Sequence, residues 1–142
     1  MSESVPLRAV LLGHGGMPEG VVDAVRHITG CEPDALVPIS NRGMSPDSLS
    51  AEVQRVLGAG PGIIFTDLPS GSCGFVARRL TQHAADLVVI SGVNLPLLLD
   101  FAMNRTLPLA ELVPRLLSKG RAAMGCAPAH LEDHADRAAS HR

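Results

Sequence analysis

The sequence predicts an α/β fold, with a doubly wound, mostly parallel sheet of four to five strands and helices on both faces. Three observations predict it. Short apolar runs alternate with segments of helical spacing, no internal repeat interrupts them, and 46% of the 142 residues are apolar. Such alternation implies parallel strands joined by helical crossovers. The length fits a single domain over 1–142, with its core over about 7–125 and a C-terminal tail over 126–142.

Four apolar runs are predicted to form the strands. They lie at residues 7–12, 36–39, 62–66 and 87–90, and glycine, serine or aspartate follows each of them. Pro38 lies inside the second run and has no N–H group for a sheet hydrogen bond, so this strand is placed at an edge of the sheet.

Helical spacing and helix start signals lie between and after these runs. Proline is favoured in the first turn of a helix, and Ser45 before Pro46 is a typical N-cap. Five helices are predicted: one from Pro18 with Val21, Val25 and Ile28 inward, one from Pro46 to Gly58, one through Val76, Leu80 and Ala84, one from Asn94 to about Arg105, and one from Pro108.

Reactive side chains follow the first and third predicted strands. In an open sheet of strand order 2-1-3-4, the carboxyl ends of those two strands meet at the point where ligands bind. The loops there also lead into helix N-termini, which attract anions, and their glycines let the backbone approach an anion closely. The crevice is expected to contain His14, Asp67, Ser70, Ser72, Gly13, Gly15 and Gly71.

A histidine in such a site can carry a phosphoryl group. A neutral imidazole is a good nucleophile near pH 7, and the phosphoramidate that it forms stays reactive enough to pass the group on. A neighbouring carboxylate accepts the hydrogen of one ring nitrogen and leaves the other nitrogen free to attack. We therefore expect His14 to be the nucleophile and Asp67 its orienting partner.

Three stretches of the sequence carry a family pattern: 13–15 (Gly-His-Gly), 66–72 (Thr-Asp-Leu-Pro-Ser-Gly-Ser) and 89–96 (Val-Ile-Ser-Gly-Val-Asn-Leu-Pro). They resemble the signatures of the mannose-family IIA domain of the bacterial phosphoenolpyruvate-dependent sugar phosphotransferase system. The resemblance extends over about 7–125. It implies that the carrier HPr phosphorylates His14, which then passes the phosphoryl group to a IIB protein for sugar uptake or regulation.

The same resemblance implies further site residues and partners. Asp67 would be the hydrogen-bonding partner of the histidine, and Ser72 a hydroxyl of the phosphate loop. Asn94 is either only a helix start or part of the lining of the same crevice. Domains of this family are homodimers that meet a membrane only indirectly, through a IIC/IID transporter. A cytoplasmic homodimer without a cofactor or a metal is therefore expected.

The loop after the third strand departs from the family pattern. The family's usual Gly-Gly-Ser-Pro is replaced by Ser70, Gly71, Ser72 and Cys73, a change that bears on loop geometry and partner specificity. Cys73 is expected to be a small packing residue, although its place at a helix N-terminus could also lower the pKa of its thiol. Three widely spaced cysteines fit a reducing compartment better than a disulfide framework.

Composition and motifs exclude several other classes. The net charge of -2 argues against a nucleic-acid partner, and three Phe without Trp or Tyr argue against flavin stacking. No apolar run reaches the roughly 18 residues of a membrane span, and no signal peptide is expected.

A receiver domain would need an acidic pair where Gly13 and His14 stand. His130 and His134 have the spacing of a metal pair, but they are expected to be a solvated part of the tail.

Three functions remain open from the sequence. The preferred one is a phosphohistidine carrier of the phosphotransferase system. The phosphoryl-donor subunit of a dihydroxyacetone kinase resembles the same domains. A purely regulatory protein, controlled by phosphorylation of His14, would also keep the same site. The genome neighbours would discriminate between them, because a IIB/IIC pair and kinase subunits indicate different roles.

Overall fold

Parallel strands alternate with helices throughout the computed structural model, which describes residues 5–132. The strands are β1 (Arg8–Gly13), β2 (Leu36–Ser40), β3 (Gly62–Thr66) and β4 (Leu87–Ser91). The helices are α1 (Met17–Thr29), α2 (Pro46–Leu57), α3 (Gly71–Thr81), α4 (Leu95–Met103) and α5 (Leu109–Ala122). Within the described range, no helix combines the length and the apolar character that crossing a membrane requires.

The strands form one parallel sheet in the order β2-β1-β3-β4. This confirms the predicted fold class and is the strand order for which the crevice was expected, and it places β2, with Pro38, at an edge. Leu12 of β1 pairs with Thr66 of β3, so the two strands end at the same level. The residues that follow them, His14 and Asp67, are thereby brought together. Within the described residues the sheet has four strands, the lower of the two predicted numbers.

Alternate side chains of the strands enter two separate cores. Ala9 and Leu11 of β1 pack in the core beneath α1, α4 and α5. Val10 and Leu12 pack in the core beneath α2 and α3. All four are fully buried. Helices therefore cover both faces of the sheet, as predicted, and this close packing fixes the strand ends on which the site is built.

The inward face of α1 matches the prediction at Val25 and at Val21, which packs half-buried against the core, but not at Ile28. Pro18, Val22 and Val25 are buried, whereas Ile28 is 58% exposed. The buried residues of this helix follow one another at spacings of four and three, so the next residue on the inward face is Thr29. Ile28 therefore points towards solvent.

Helix α3 begins and ends earlier than predicted. Gly71 and Ser72, expected in the preceding loop, form its first turn. The helix ends at Thr81, and Ala84 lies exposed beyond it. The prediction of the helix start was wrong because a glycine and two serines before an apolar stripe are as typical of a loop as of a helix start.

The predicted C-terminal tail is described only in part. Residues 126–132 are exposed, whereas 133–142, and with them His134, lie outside the described range. The solvated role of the pair His130 and His134 therefore stays a prediction.

Candidate active site

The histidine predicted as the nucleophile lies directly after β1. His14 begins the short turn between β1 and α1, and its side chain is 43% exposed. Gly15 follows with a φ of +60°, a left-handed conformation that glycine adopts without strain. The backbone N–H of Gly15 donates to Asn41 Oδ1 at 3.4 Å. The turn therefore presents the imidazole to solvent on a fixed backbone.

A carboxylate from the neighbouring strand end holds this imidazole. Asp67 Oδ2 lies 2.8 Å from His14 Nδ1 and accepts the backbone N–H of the same histidine at 3.0 Å. The other carboxylate oxygen accepts the backbone N–H of Leu68 at 2.9 Å. Because an ionised carboxylate only accepts hydrogen bonds, we assign the hydrogen to Nδ1 and the lone pair to Nε2. The geometry thus selects Nε2 as the nucleophilic nitrogen.

The same contacts keep Asp67 ionised. Partial burial acts to raise the pKa of its carboxyl group, but hydrogen bonds from His14, the charge that His14 carries when its ring is protonated, and the N–H of Leu68 outweigh it. The pKa of Asp67 is therefore below its usual value. An ionised Asp67 can balance the positive charge that the His14 ring acquires when Nε2 is phosphorylated.

Two glycines leave room for this pair. A Cβ on Gly13 would lie 3.2 Å from both Cγ and Oδ2 of Asp67 and 3.1 Å from Pro18 Cγ, which is tighter than ordinary contact. Gly71 has a φ of +80°, and a Cβ there would lie 3.6 Å from His14 Nε2. The space beside Nε2 is therefore bounded by Gly71 and is open because that residue has no side chain.

The N-terminus of α3 lies at the same place. Gly71 is the first residue of the helix, and Ser70 precedes it as the N-cap without a side-chain capping hydrogen bond. Ser70 and Ser72 are exposed. The first N–H groups of a helix have no intrahelical partner and favour an anion. A phosphoryl group on Nε2 would therefore lie close to these N–H groups.

A comparison of the sequence with protein-family models identifies the family of this chain. The EIIA-man model, described as the PTS system fructose IIA component, matches residues 8–115. The chain belongs to the EIIA-man family. This confirms the resemblance to the IIA domains of the phosphotransferase system (PTS), and the matched residues include His14 and Asp67.

Solved PTS structures share the fold of this EIIA-man chain. An EIIA component from Streptococcus agalactiae is 24% identical, with a TM-score of 0.78 over 84% of this chain and 96% of that chain. A mannose/sorbose-specific IIA subunit from Enterococcus faecalis is 22% identical, with a TM-score of 0.75 over 86% and 95%. A PTS IIA protein associated with the fucose utilization operon of Streptococcus pneumoniae is 18% identical, with a TM-score of 0.70 over 92% and 99%. A comparison with curated proteins found no significant match.

Asn94 of the EIIA-man domain makes its hydrogen bonds with α4 and α5. Its Oδ1 accepts the N–H of Leu97 at 3.1 Å as the N-cap of α4, and its Nδ2 donates to the carbonyl of Gly120 at 2.8 Å. One polar atom of the side chain thus caps α4, and the other joins its start to α5. This favours the first of the two interpretations, a helix start, and a part in lining the crevice stays a prediction.

Cys73 packs in the core beneath α2 and α3, as expected. Its side chain is fully buried, and burial together with the charge of Asp67 raises the pKa of the thiol despite a hydrogen bond with Ser72. In the described part of the chain, His14, Asp67 and Cys73 are the one group of possible metal ligands, with donor atoms within 4.8 Å of one another. Because Asp67 already accepts from His14 and the thiol keeps its proton, the arrangement favours the hydrogen-bonded pair over a metal centre.

Two residues that the sequence analysis did not single out hold the loop before α3. Arg78 Nη1 donates to the carbonyl of Pro69, and a Cβ on Gly74 would lie 2.5 Å from the same carbonyl oxygen. The loop therefore packs directly on the backbone of α3, which a glycine permits. A glycine inside a helical pattern indicates such close packing, so Gly74 could have been found from the sequence. Arg78 could not, because its contact depends on the fold.

Replacing Gly74 by alanine is expected to lower the free energy of unfolding by about 1–3 kcal/mol, because the added methyl group would overlap the backbone of Pro69. The matched control is Gly20→Ala in α1, where nothing lies within 4 Å of the added Cβ. This control should raise the free energy of unfolding by about 0.5–1 kcal/mol. Urea unfolding measures both changes, and a Gly74→Ala protein as stable as the wild type would contradict the packing argument.

Proposed function

We propose that the chain is a phosphohistidine carrier, which accepts a phosphoryl group from an HPr-like protein on His14 and passes it to a separate IIB protein. The observation that carries the proposal is the contact of His14 Nδ1 with Asp67 Oδ2 at 2.8 Å, with Nε2 left free beside Gly71. Membership of the EIIA-man family supports the same role.

In the proposed transfer, the bonds formed and broken and the charges balance with the residues of the two proteins alone. The lone pair of His14 Nε2 attacks phosphorus, the P–N bond to the donor histidine breaks, and its electron pair stays on the donor ring. His14 keeps the hydrogen on Nδ1, so its ring becomes cationic, and the carboxylate of Asp67 balances this charge. Transfer to the IIB protein repeats the step with the His14 ring as the leaving group.

The exposure of the site suits two partners that bind in turn. The side chain of His14 is 43% exposed. Leu68, in the loop before α3, is 50% exposed, and Phe75 of α3 is 51% exposed. Exposed apolar side chains next to a reactive group form a suitable surface for small, brief protein contacts. We propose that the donor and the acceptor use this surface one after the other.

Labelling from radioactive phosphoenolpyruvate tests the proposal. With enzyme I and HPr present, the protein should take up a label that is stable in base and lost in acid, as a phosphoramidate is. A IIB protein added afterwards should remove the label. Absence of a label, or a label that survives acid, would contradict the proposal. Removal by a dihydroxyacetone kinase subunit instead would support the kinase role, and retention with both partners would support a regulatory protein.

We also propose a cytoplasmic homodimer that meets a membrane only through a IIC/IID transporter. β4 supports the dimer, because it is an edge of the sheet and four of its five residues are only partly buried. An exposed edge offers unpaired N–H and C=O groups to another chain. Light scattering at micromolar concentration should give about twice the chain mass of 14.8 kDa, and a value near the chain mass itself would count against the dimer.

A further inference from the structure

A second charged side chain lies at the His14 turn. β2 pairs with β1 in parallel, so the turns that follow these two strands are neighbours. The backbone N–H of Asn41 donates to the carbonyl of Gly13 at 3.0 Å and joins the two turns. Arg42 comes next, and its Nη2 lies 3.4 Å from the position that a Cβ on Gly15 would take. The guanidinium therefore lies against the backbone of the histidine turn.

The guanidinium of Arg42 has no carboxylate partner among residues 5–132. Four other exposed arginines do lie at ion-pair distance from a carboxylate: Arg8 from Asp34, Arg55 from Glu52, Arg79 from Asp47 and Arg115 from Asp100. Arg42 is exposed, and its backbone N–H donates to Ser40 Oγ at 3.2 Å. Arginine presents five donors in a planar fork that matches a phosphoryl group. The side chain is therefore free to bind such a group at this turn.

We propose that Arg42 binds the phosphoryl group that His14 carries. The strand order places β1 between β2 and β3. A phosphoryl group on Nε2 would thus have the N-terminus of α3 on the β3 side and the guanidinium on the β2 side. The inference rests on the proposed function and adds Arg42, as a positioning residue, to the pair of His14 and Asp67.

The permanent charge of Arg42 fits the transfer step. While the bond from phosphorus to the donor nitrogen breaks and the bond to Nε2 forms, negative charge is spread over the three remaining oxygens. Arg42 donates hydrogen bonds to these oxygens and neither gains nor loses a proton. Because the side chain is exposed and salt screens it, we expect its loss to slow transfer about tenfold, far less than the loss of a buried arginine would.

Phosphorus NMR of the phosphorylated protein tests this contact. A cation beside a phosphoryl group favours its dianion, so Arg42→Gln should raise the pKa of that group by about half a pH unit. Arg42→Lys should give an intermediate value, because lysine keeps the charge but not the planar fork. The matched control is Arg55→Gln, since Arg55 is an exposed arginine on α2 that pairs with Glu52, and it should leave the value unchanged.

Labelling with two phosphoryl donors, phosphoramidate and phosphorylated HPr, separates the possible outcomes. Phosphoramidate phosphorylates histidines without a partner protein, and the signal that is missing from a His14→Ala sample treated in the same way belongs to His14. Equal phosphoryl pKa values in the wild type and Arg42→Gln would overturn the inference, even with slower transfer from HPr, because Arg42 would then contact the partner instead. If neither donor labels His14, the proposed function fails and this inference with it. Labelling by phosphoramidate alone would overturn only the step from HPr.

Discussion

The His14→Ala protein is expected to take up no phosphoryl group from phosphorylated HPr. Among the described histidines, His14 alone has a ring nitrogen fixed by a carboxylate, with Asp67 Oδ2 at 2.8 Å from Nδ1. Its Nε2 also lies beside the glycine that opens α3. Substitution by alanine removes the nucleophile itself, so the loss should be complete and not a matter of degree.

The matched control for this variant is His27→Ala. His27 is an exposed histidine in the last turn of α1, the helix that follows the His14 turn, so it lies at the far end of that helix. The His27→Ala protein should accept the label at the wild-type rate, and circular dichroism should show that both variants are folded. A His14→Ala protein that still accepts a full label would mean that another residue is the acceptor.

Local sequence patterns predicted the two site residues that directly follow strands, His14 after β1 and Asp67 after β3. The run at 62–66 is β3 with the same bounds, and β1 ends at Gly13, immediately before the histidine. Apolar runs and glycines report on the backbone nearby, and parallel strands bring their carboxyl ends to one edge. For this reason His14 and Asp67 could be placed together before any distance between them was known.

Contacts that single side chains make with other parts of the fold could not be predicted in this way. Arg42 reaches the His14 turn only because β2 pairs with β1, and Arg78 reaches Pro69 only because α3 packs back on its own entry loop. Each contact depends on the length and direction of one side chain and leaves no periodic signal in the sequence. Asn94 shows the same limit, because its pattern predicted a helix start but not the hydrogen bond to α5.

Asp67→Asn is expected to slow phosphoryl transfer by about 10²-fold or more while leaving the fold intact. Asp67 accepts three N–H groups, two from His14 on Oδ2 and one from Leu68 on Oδ1. An asparagine has one acceptor oxygen and one NH2 group in place of the two oxygens. In either orientation of the amide, the NH2 group therefore faces an N–H donor.

Each orientation damages the site in its own way. With the amide oxygen towards His14, the N–H of Leu68 loses its acceptor and the loop that carries residue 67 is loosened. With the NH2 group towards His14, Nδ1 becomes the acceptor and the ring hydrogen moves to Nε2, which then has no lone pair for phosphorus. In both orientations the negative charge that would balance the phosphorylated ring is gone.

Rapid-quench measurement of transfer from labelled HPr gives the rate, and Asp86→Asn is the matched control. Asp86 is exposed directly before β4, at the end of the sheet opposite to His14, so its substitution should leave the rate unchanged. Because the pKa of Asp67 lies below its ordinary value of 3.8, the wild-type carboxyl group is ionised at the neutral pH of the assay. The comparison therefore measures the loss of a charged acceptor, and an unchanged rate in Asp67→Asn would show that Asp67 is only a turn residue.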